Sequence, residues 1–277
     1  MNKTKLYLAN PWIFFLLTFV FSWLFWSIAV YLNQTYTSFP TIIFYALGGF
    51  GPSLIGISLT YLTKSKDEVK DFWYRSRDFK RINFQWYGAI VILSLTPLLM
   101  AGGLSILFNG SGITFDPNFL SSLLVSVIFL IIGVIAEEFG WRGYVLDPLQ
   151  SKYNAFISSI IIGLFWGIWH IPLFFINGTY QESLGLLSIE FWMFFIMLFP
   201  HSIIYTLIFN NTNRSILSAM LFHFCINFFG QLFSFDVQIR ILSNIIIFIF
   251  VILILLNYGY KNLTRDFKDD TKKNNKK

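Results

Sequence analysis

Two adjacent carboxylates, Glu137 and Glu138, and an arginine four residues on, Arg142, close the run Leu120 to Ile135, which carries no charge. On a helix, residues i and i+4 share a face, so Glu138 and Arg142 can pair. Glu137 points about 100° away and is the carboxylate available for chemistry. Two further polar sets stand in apolar segments. Trp166 and His170 share a face at i and i+4, with Pro172 placed to kink the helix just past the imidazole. His223 and Asn227 repeat the spacing and project two polar heads from one face. A carboxylate and an imidazole can hold a water and take its proton, and paired donors on one helix face can receive a developing oxyanion. Taken singly, each set has a plain structural explanation: a salt bridge at a helix end, or an interhelical hydrogen bond. Together they imply a polar site, because an ionisable group at membrane depth costs roughly 2.5 to 3.5 kcal/mol on insertion scales. His201, after Pro200, has no companion at helical spacing and reads as a packing or kink residue.

The elements that must position these groups are membrane spans. The chain has 277 residues, 56% hydrophobic, 20% aromatic and 12% charged, with mean hydropathy +0.64. Soluble domains carry about 25% charged residues, so the expected fold is all-α, a polytopic transmembrane helix bundle. Apolar runs near the spanning length of about 20 residues fall at Trp12 to Leu32, Thr41 to Leu62, Trp86 to Phe108, Leu120 to Val145, Ala155 to Ile176, Ile189 to Phe209, Ser215 to Phe233 and Ile241 to Tyr258. That makes about eight spans. The first follows Lys3 and Lys5 but lacks a small-x-small cleavage site, so it reads as retained rather than as a signal peptide. Of 20 Lys and Arg residues, 19 fall on one set of connections and only Arg240 on the other, which predicts cytoplasmic N- and C-termini.

The whole chain, 1–277, reads as a single transmembrane domain, for neither a linker nor an internal repeat interrupts it. Within it, 120–229 carries the three polar sets, 63–85 is a basic amphipathic cytoplasmic segment rich in aromatics, and 261–277 is a basic tail. Both basic stretches suit an anionic leaflet and serve first as topology anchors. The net charge of +6 is thus a property of the membrane surface. Membrane lipid is an expected partner; nucleic acid is not, since no nucleic-acid motif is present. The single cysteine, Cys225, excludes an intramolecular disulfide.

The three sets, in this order, resemble the CPBP family of intramembrane proteases, which includes the CAAX prenyl endopeptidases and the bacterial Abi proteins linked to bacteriocin processing and self-immunity. The family pattern is Glu-Glu-x-x-x-Arg, Phe-x-x-x-His and His-x-x-x-Asn. The first falls on Glu137, Glu138 and Arg142, and the third on His223 and Asn227. The second departs: four residues before His170 stands Trp166, with Phe165 one place off. The resemblance covers Leu120 to Phe229 and implies peptide-bond hydrolysis within a helix bundle, on a membrane-anchored substrate, prenylated in the CAAX manner or not, or on a peptide.

Amide hydrolysis needs an activated water, an oxyanion site and a proton for the leaving amine. Glu137 would take the proton of a water that His170 helps to hold. His223 and Asn227 would donate to the oxyanion, while Glu138 and Arg142 fix the helix end. No cofactor is favoured. The alternative is zinc held by Glu137, His170 and His223 with an open position for water; Asn227, a poor zinc ligand and a good donor, tilts the choice to the glutamate. A small-solute transporter or a non-catalytic immunity protein on the same bundle is the other class of reading. Upright helices would separate Glu137 and His170 by roughly 15 Å in depth, so tilt and the Pro172 kink are expected to bring them together.

Overall fold

The computed structural model describes residues 7–264, and the long helices follow the apolar runs. They are α1 (Pro11–Leu32), α2 (Thr41–Gly49), α3 (Gly51–Thr63), α4 (Lys66–Arg75), α5 (Phe84–Leu107), α6 (Leu123–Glu138), α7 (Ala155–Trp169), α8 (Ile189–Asn211), α9 (Ile216–Leu232) and α10 (Val237–Tyr258). Among the described residues the extended pairing is the antiparallel bridge of β1 (Thr114–Phe115) with β2 (Phe233–Ser234). Among the described residues six helical stretches are long and apolar enough to cross a membrane, a bent pair makes a seventh, and α9 is a shorter apolar helix. The chain is a multi-pass membrane protein, and the expected all-α bundle of about eight spans matches this architecture.

Several helix starts follow directly from sequence. Asn10 accepts from the Trp12 N–H ahead of Pro11, and Asn83, Ser215 and Asp236 cap α5, α9 and α10 in the same way. The start of α4 is a capping box: Ser65 N–H donates to Glu68 Oε2 at 2.8 Å, and Glu68 N–H donates to Ser65 Oγ at 3.3 Å.

Several spans depart from simple rods. The second breaks by 47° between α2 and α3. Pro52 has no N–H to give the Gly48 carbonyl, which instead accepts from Ser22 Oγ of α1 at 2.7 Å. The fourth is composite: α6 runs into a π-helical turn, Phe139–Val145, and then a short helix, Leu146–Gln150. The seventh, α9, has 17 residues, short of the expected length, because the chain turns extended at Phe233 to form β2.

By contact the chain gathers into two compact units, each drawn from separated stretches of the sequence. The first comprises Met1–Ser76, Ile135–Tyr153 and Ile157–Ser202; the second comprises Arg77–Val134, Asn154–Phe156 and Ile203–Lys277. The boundary is crossed repeatedly, so no composition change marks it. Lys3, Lys5 and most of the basic tail 261–277 lie outside the described residues. In the basic segment 63–85, α4 carries three basic and three acidic side chains. Arg75 is turned inward: Nη1 donates to Asp147 Oδ2 at 2.9 Å, Nη2 donates to the Gly143 carbonyl at 3.3 Å, and Nε lies 3.3 Å from Asp71. With Phe72 against Phe139, this joins α4 to the composite fourth span.

Candidate active site

The first unit holds Glu137, Glu138, Arg142, Trp166 and His170. The span carrying the first three is positioned by two close approaches. Ser53 Oγ donates to the Ile135 carbonyl at 2.7 Å. At Gly140, an added Cβ would lie 2.3 Å from the Pro52 carbonyl oxygen, so α3 and the π-turn touch backbone to backbone. Gly56 makes the reciprocal approach, its Cβ position falling 2.8 Å from Gly140 Cα. From α1, Phe14 meets Trp141 edge-on at 5.4 Å, Phe15 stacks on Phe165 at 4.2 Å, and Trp26 packs on Trp169 at 4.7 Å.

Glu138 and Arg142 pair as the i, i+4 spacing predicts. Arg142 Nη1 donates to Glu138 Oε1 at 2.9 Å and to Oε2 at 3.2 Å, with both side chains almost fully buried. Losing either partner would strand a buried charge, so the pair locks this end of the span. The guanidinium also lies over the Trp166 ring, 4.8 Å from its centroid.

Glu137 is half-buried, and its Oε2 accepts from two indoles: Trp166 Nε1 at 2.6 Å and Trp141 Nε1 at 3.3 Å. Trp141 stands four residues beyond Glu137 on the same turn. Sequence reasoning missed this second donor, although the i, i+4 spacing that linked Glu138 to Arg142 points to it as well.

At His170 the regular helix stops and a 3-10 turn, Ile171–Phe175, carries Pro172. His170 N–H reaches only three residues back, to the Gly167 carbonyl at 3.0 Å. The Trp166 carbonyl, its partner in an uninterrupted helix, instead meets His170 Nδ1 at 2.7 Å. A carbonyl only accepts, so Nδ1 carries the hydrogen, and in the neutral ring Nε2 is the basic nitrogen. Glu137 and His170, which upright helices would separate, therefore both reach the same tryptophan, one through its indole and the other through its carbonyl. The mid-span end of α7 at the proline, foreseen as a kink, supplies that carbonyl.

His223 and Asn227 belong to the second unit, four residues apart on α9. His223 is buried, with its ring edge-on to Tyr205 at 5.9 Å, and Asn227 is partly exposed. His201 sits beside Pro200 in α8 and is half-buried. Among the described residues no three His, Cys, Asp or Glu side chains form a group that could hold a metal ion. No step below runs through a metal.

A family model described as "Type II CAAX prenyl endopeptidase Rce1-like" matches residues 119–229. Over 261 residues the chain is 33% identical to CAAX prenyl protease 2 of Methanococcus maripaludis, covering 90% of this chain and 94% of that protein. It is also 34% identical over 181 residues to lysostaphin resistance protein A of Staphylococcus haemolyticus, covering 58% of this chain and 47% of the relative. The namesake of Staphylococcus epidermidis is 31% identical over 195 residues, with 64% and 47% covered. The chain thus spans about half the length of these staphylococcal relatives.

Proposed function

The chain belongs to the Rce1-like family of type II CAAX prenyl endopeptidases and is an intramembrane protease, and from that premise we propose that Glu137 is the general base that activates water for peptide-bond hydrolysis. Kinship over nine-tenths of the chain favours proteolysis over the transport and pure-binding readings. The observation that carries the reading is the division of labour in the Glu-Glu-x-x-x-Arg turn. Glu138 takes the arginine, while Glu137 is held by neutral indole donors beside a histidine of defined tautomer.

With Oε2 steadied by the two indole N–H groups, the Glu137 carboxylate takes the proton of an attacking water. His170 Nε2 accepts from that water and orients it. As the hydroxide adds to the scissile carbonyl carbon, its carbonyl oxygen becomes an oxyanion. Glu137 then returns the proton to the leaving nitrogen as the C–N bond breaks, giving a carboxylic acid and an amine. On motif grounds alone, His223 and Asn227 serve as oxyanion donors. The substrate class is a membrane-anchored peptide with a CAAX-type carboxyl terminus, carried over from the name of the M. maripaludis relative, which this chain covers almost end to end.

The test is cleavage of farnesylated and unmodified membrane-proximal fluorogenic peptides by purified protein in detergent. Glu137→Gln should lower the rate by about 10² to 10⁴, the scale of general-base catalysis, and the wild type should survive exhaustive chelation. Activity lost on chelation and restored by zinc would overturn the glutamate mechanism. Cleavage of the unmodified peptides alone would overturn the substrate class.

A further inference from the structure

Trp166 occupies the position where the family pattern has phenylalanine, and the substitution adds one atom of consequence, the indole N–H. Three contacts converge on this residue. Its N–H donates to Glu137 Oε2 at 2.6 Å, its ring lies under the Arg142 guanidinium at 4.8 Å, and its carbonyl meets His170 Nδ1 at 2.7 Å. A phenylalanine there keeps a ring for the cation and a carbonyl for the imidazole, and cannot hold the carboxylate.

We propose that Trp166 and Trp141 are positioning residues, a two-indole clamp that fixes the plane of the Glu137 carboxylate. The proposal rests on Glu137 being the base. An unrestrained glutamate side chain would rotate about its terminal torsion, which is broad and roughly two-fold, and exchange its two oxygens. Two donors on one oxygen select one of those arrangements. The cation over the Trp166 ring draws density from the indole and strengthens its N–H as a donor, so the Glu138–Arg142 pair reaches the base through the tryptophan. The scaffold keeps the clamp rigid: both indoles are buried, Trp141 fully, and Trp141 is wedged against Phe14 and Trp169. A clamp of this kind acts on orientation, so its loss should appear in kcat and leave KM nearly unchanged.

The experiment compares Trp166→Phe, Trp166→His and Glu137→Gln with the wild type on the same peptide, with melting temperature as the check on folding. Trp166→Phe removes only the N–H and the indole's second ring. Its kcat should fall about ten- to a hundredfold, the size of a hydrogen bond to an ionised group, with KM within about twofold. In Trp166→His the flipped imidazole places Nε2 at the ring position of the indole nitrogen, so kcat should recover part of the loss. Wild-type kcat in Trp166→Phe would overturn the clamp, as would an equal loss in the histidine variant, since ring packing would then explain both. Should neither Trp166 variant fold, Trp141→Phe takes its place, with a smaller kcat loss expected from its longer bond. Full activity in Glu137→Gln would instead sink the general-base reading, separately from the clamp.

Discussion

Gly140→Ala tests the contact on which the site is built. The added Cβ would meet the Pro52 carbonyl oxygen at 2.3 Å, its carbonyl carbon at 2.5 Å and its Cβ at 2.9 Å. All three atoms belong to backbone or to a fixed ring, so no flexible side chain can turn aside. An ordinary van der Waals contact begins near 3.4 Å, and 3.4 less 2.3 leaves about 1.1 Å by which α3 and the π-turn must part. Overpacking of this kind typically costs about 1 to 3 kcal/mol, and rigid atoms on both sides put this case near 3. At about 2 to 4 °C per kcal/mol for a chain of this size, the melting temperature should fall by about 6 to 12 °C. The same shift displaces Glu137 relative to His170, and a misplacement of about 1 Å can cost 10²-fold in rate. The assay is paired: thermal melting in detergent and single-turnover peptide cleavage. Gly133→Ala is the control, since its Cβ would meet nothing within 4 Å, and replacing a helical glycine should leave stability equal or raise it by about 0.5 to 1 kcal/mol. If Gly140→Ala melted with the wild type and kept its rate, the backbone contact between Pro52 and Gly140 would be refuted.

Two further outcomes follow from buried and capping charges. Arg142→Met should destabilise the protein by about 3 to 5 kcal/mol by leaving Glu138 buried without its cation, while the double variant Glu138→Gln/Arg142→Met should recover most of that loss; chemical denaturation of the three proteins checks it. Asp116 is held below its usual range by the Phe119 N–H and the Ser234 hydroxyl, and Asp236 by the Ser111 hydroxyl and the Ile239 N–H. A carboxylate depressed on folding contributes stability above its unfolded value, near pH 4, and loses it as pH falls through the lower folded value. The gap in melting temperature between wild type and Asp116→Ala should therefore be full at pH 7 and should close below about pH 4.

The spans were legible in the sequence because membrane depth writes a long, nearly charge-free run for each one. The exceptions share a local cause. The break at Phe50 comes from Pro52, which the hydropathy of Thr41 to Leu62 hides, and α9 ends early because Phe233 and Ser234 find strand partners about 120 positions back, at Phe115 and Thr114. The pairing of Glu138 with Arg142 was readable from helical spacing alone. What was not readable was how Glu137 and His170 share Trp166, since that depends on one carbonyl released where the helix shortens its hydrogen bonds. The partition of the motifs between interleaved units was hidden too, because spacing along the chain says nothing about which spans pack together.

Interleaving also governs the order in which the protein can be made. The indole of Trp23 donates to the Trp169 carbonyl across 146 positions, and Ser53 waits for Ile135 across 82. At about 5 to 20 residues per second, the first of these contacts cannot form until about 7 to 30 s after Trp23 has been synthesised. During that interval α1 sits in the bilayer with the Trp23 indole N–H still waiting for its carbonyl. Residues 119–229 carry the family's motifs, yet α1 and α3, made long before them, supply the donors to the Trp169 and Ile135 carbonyls.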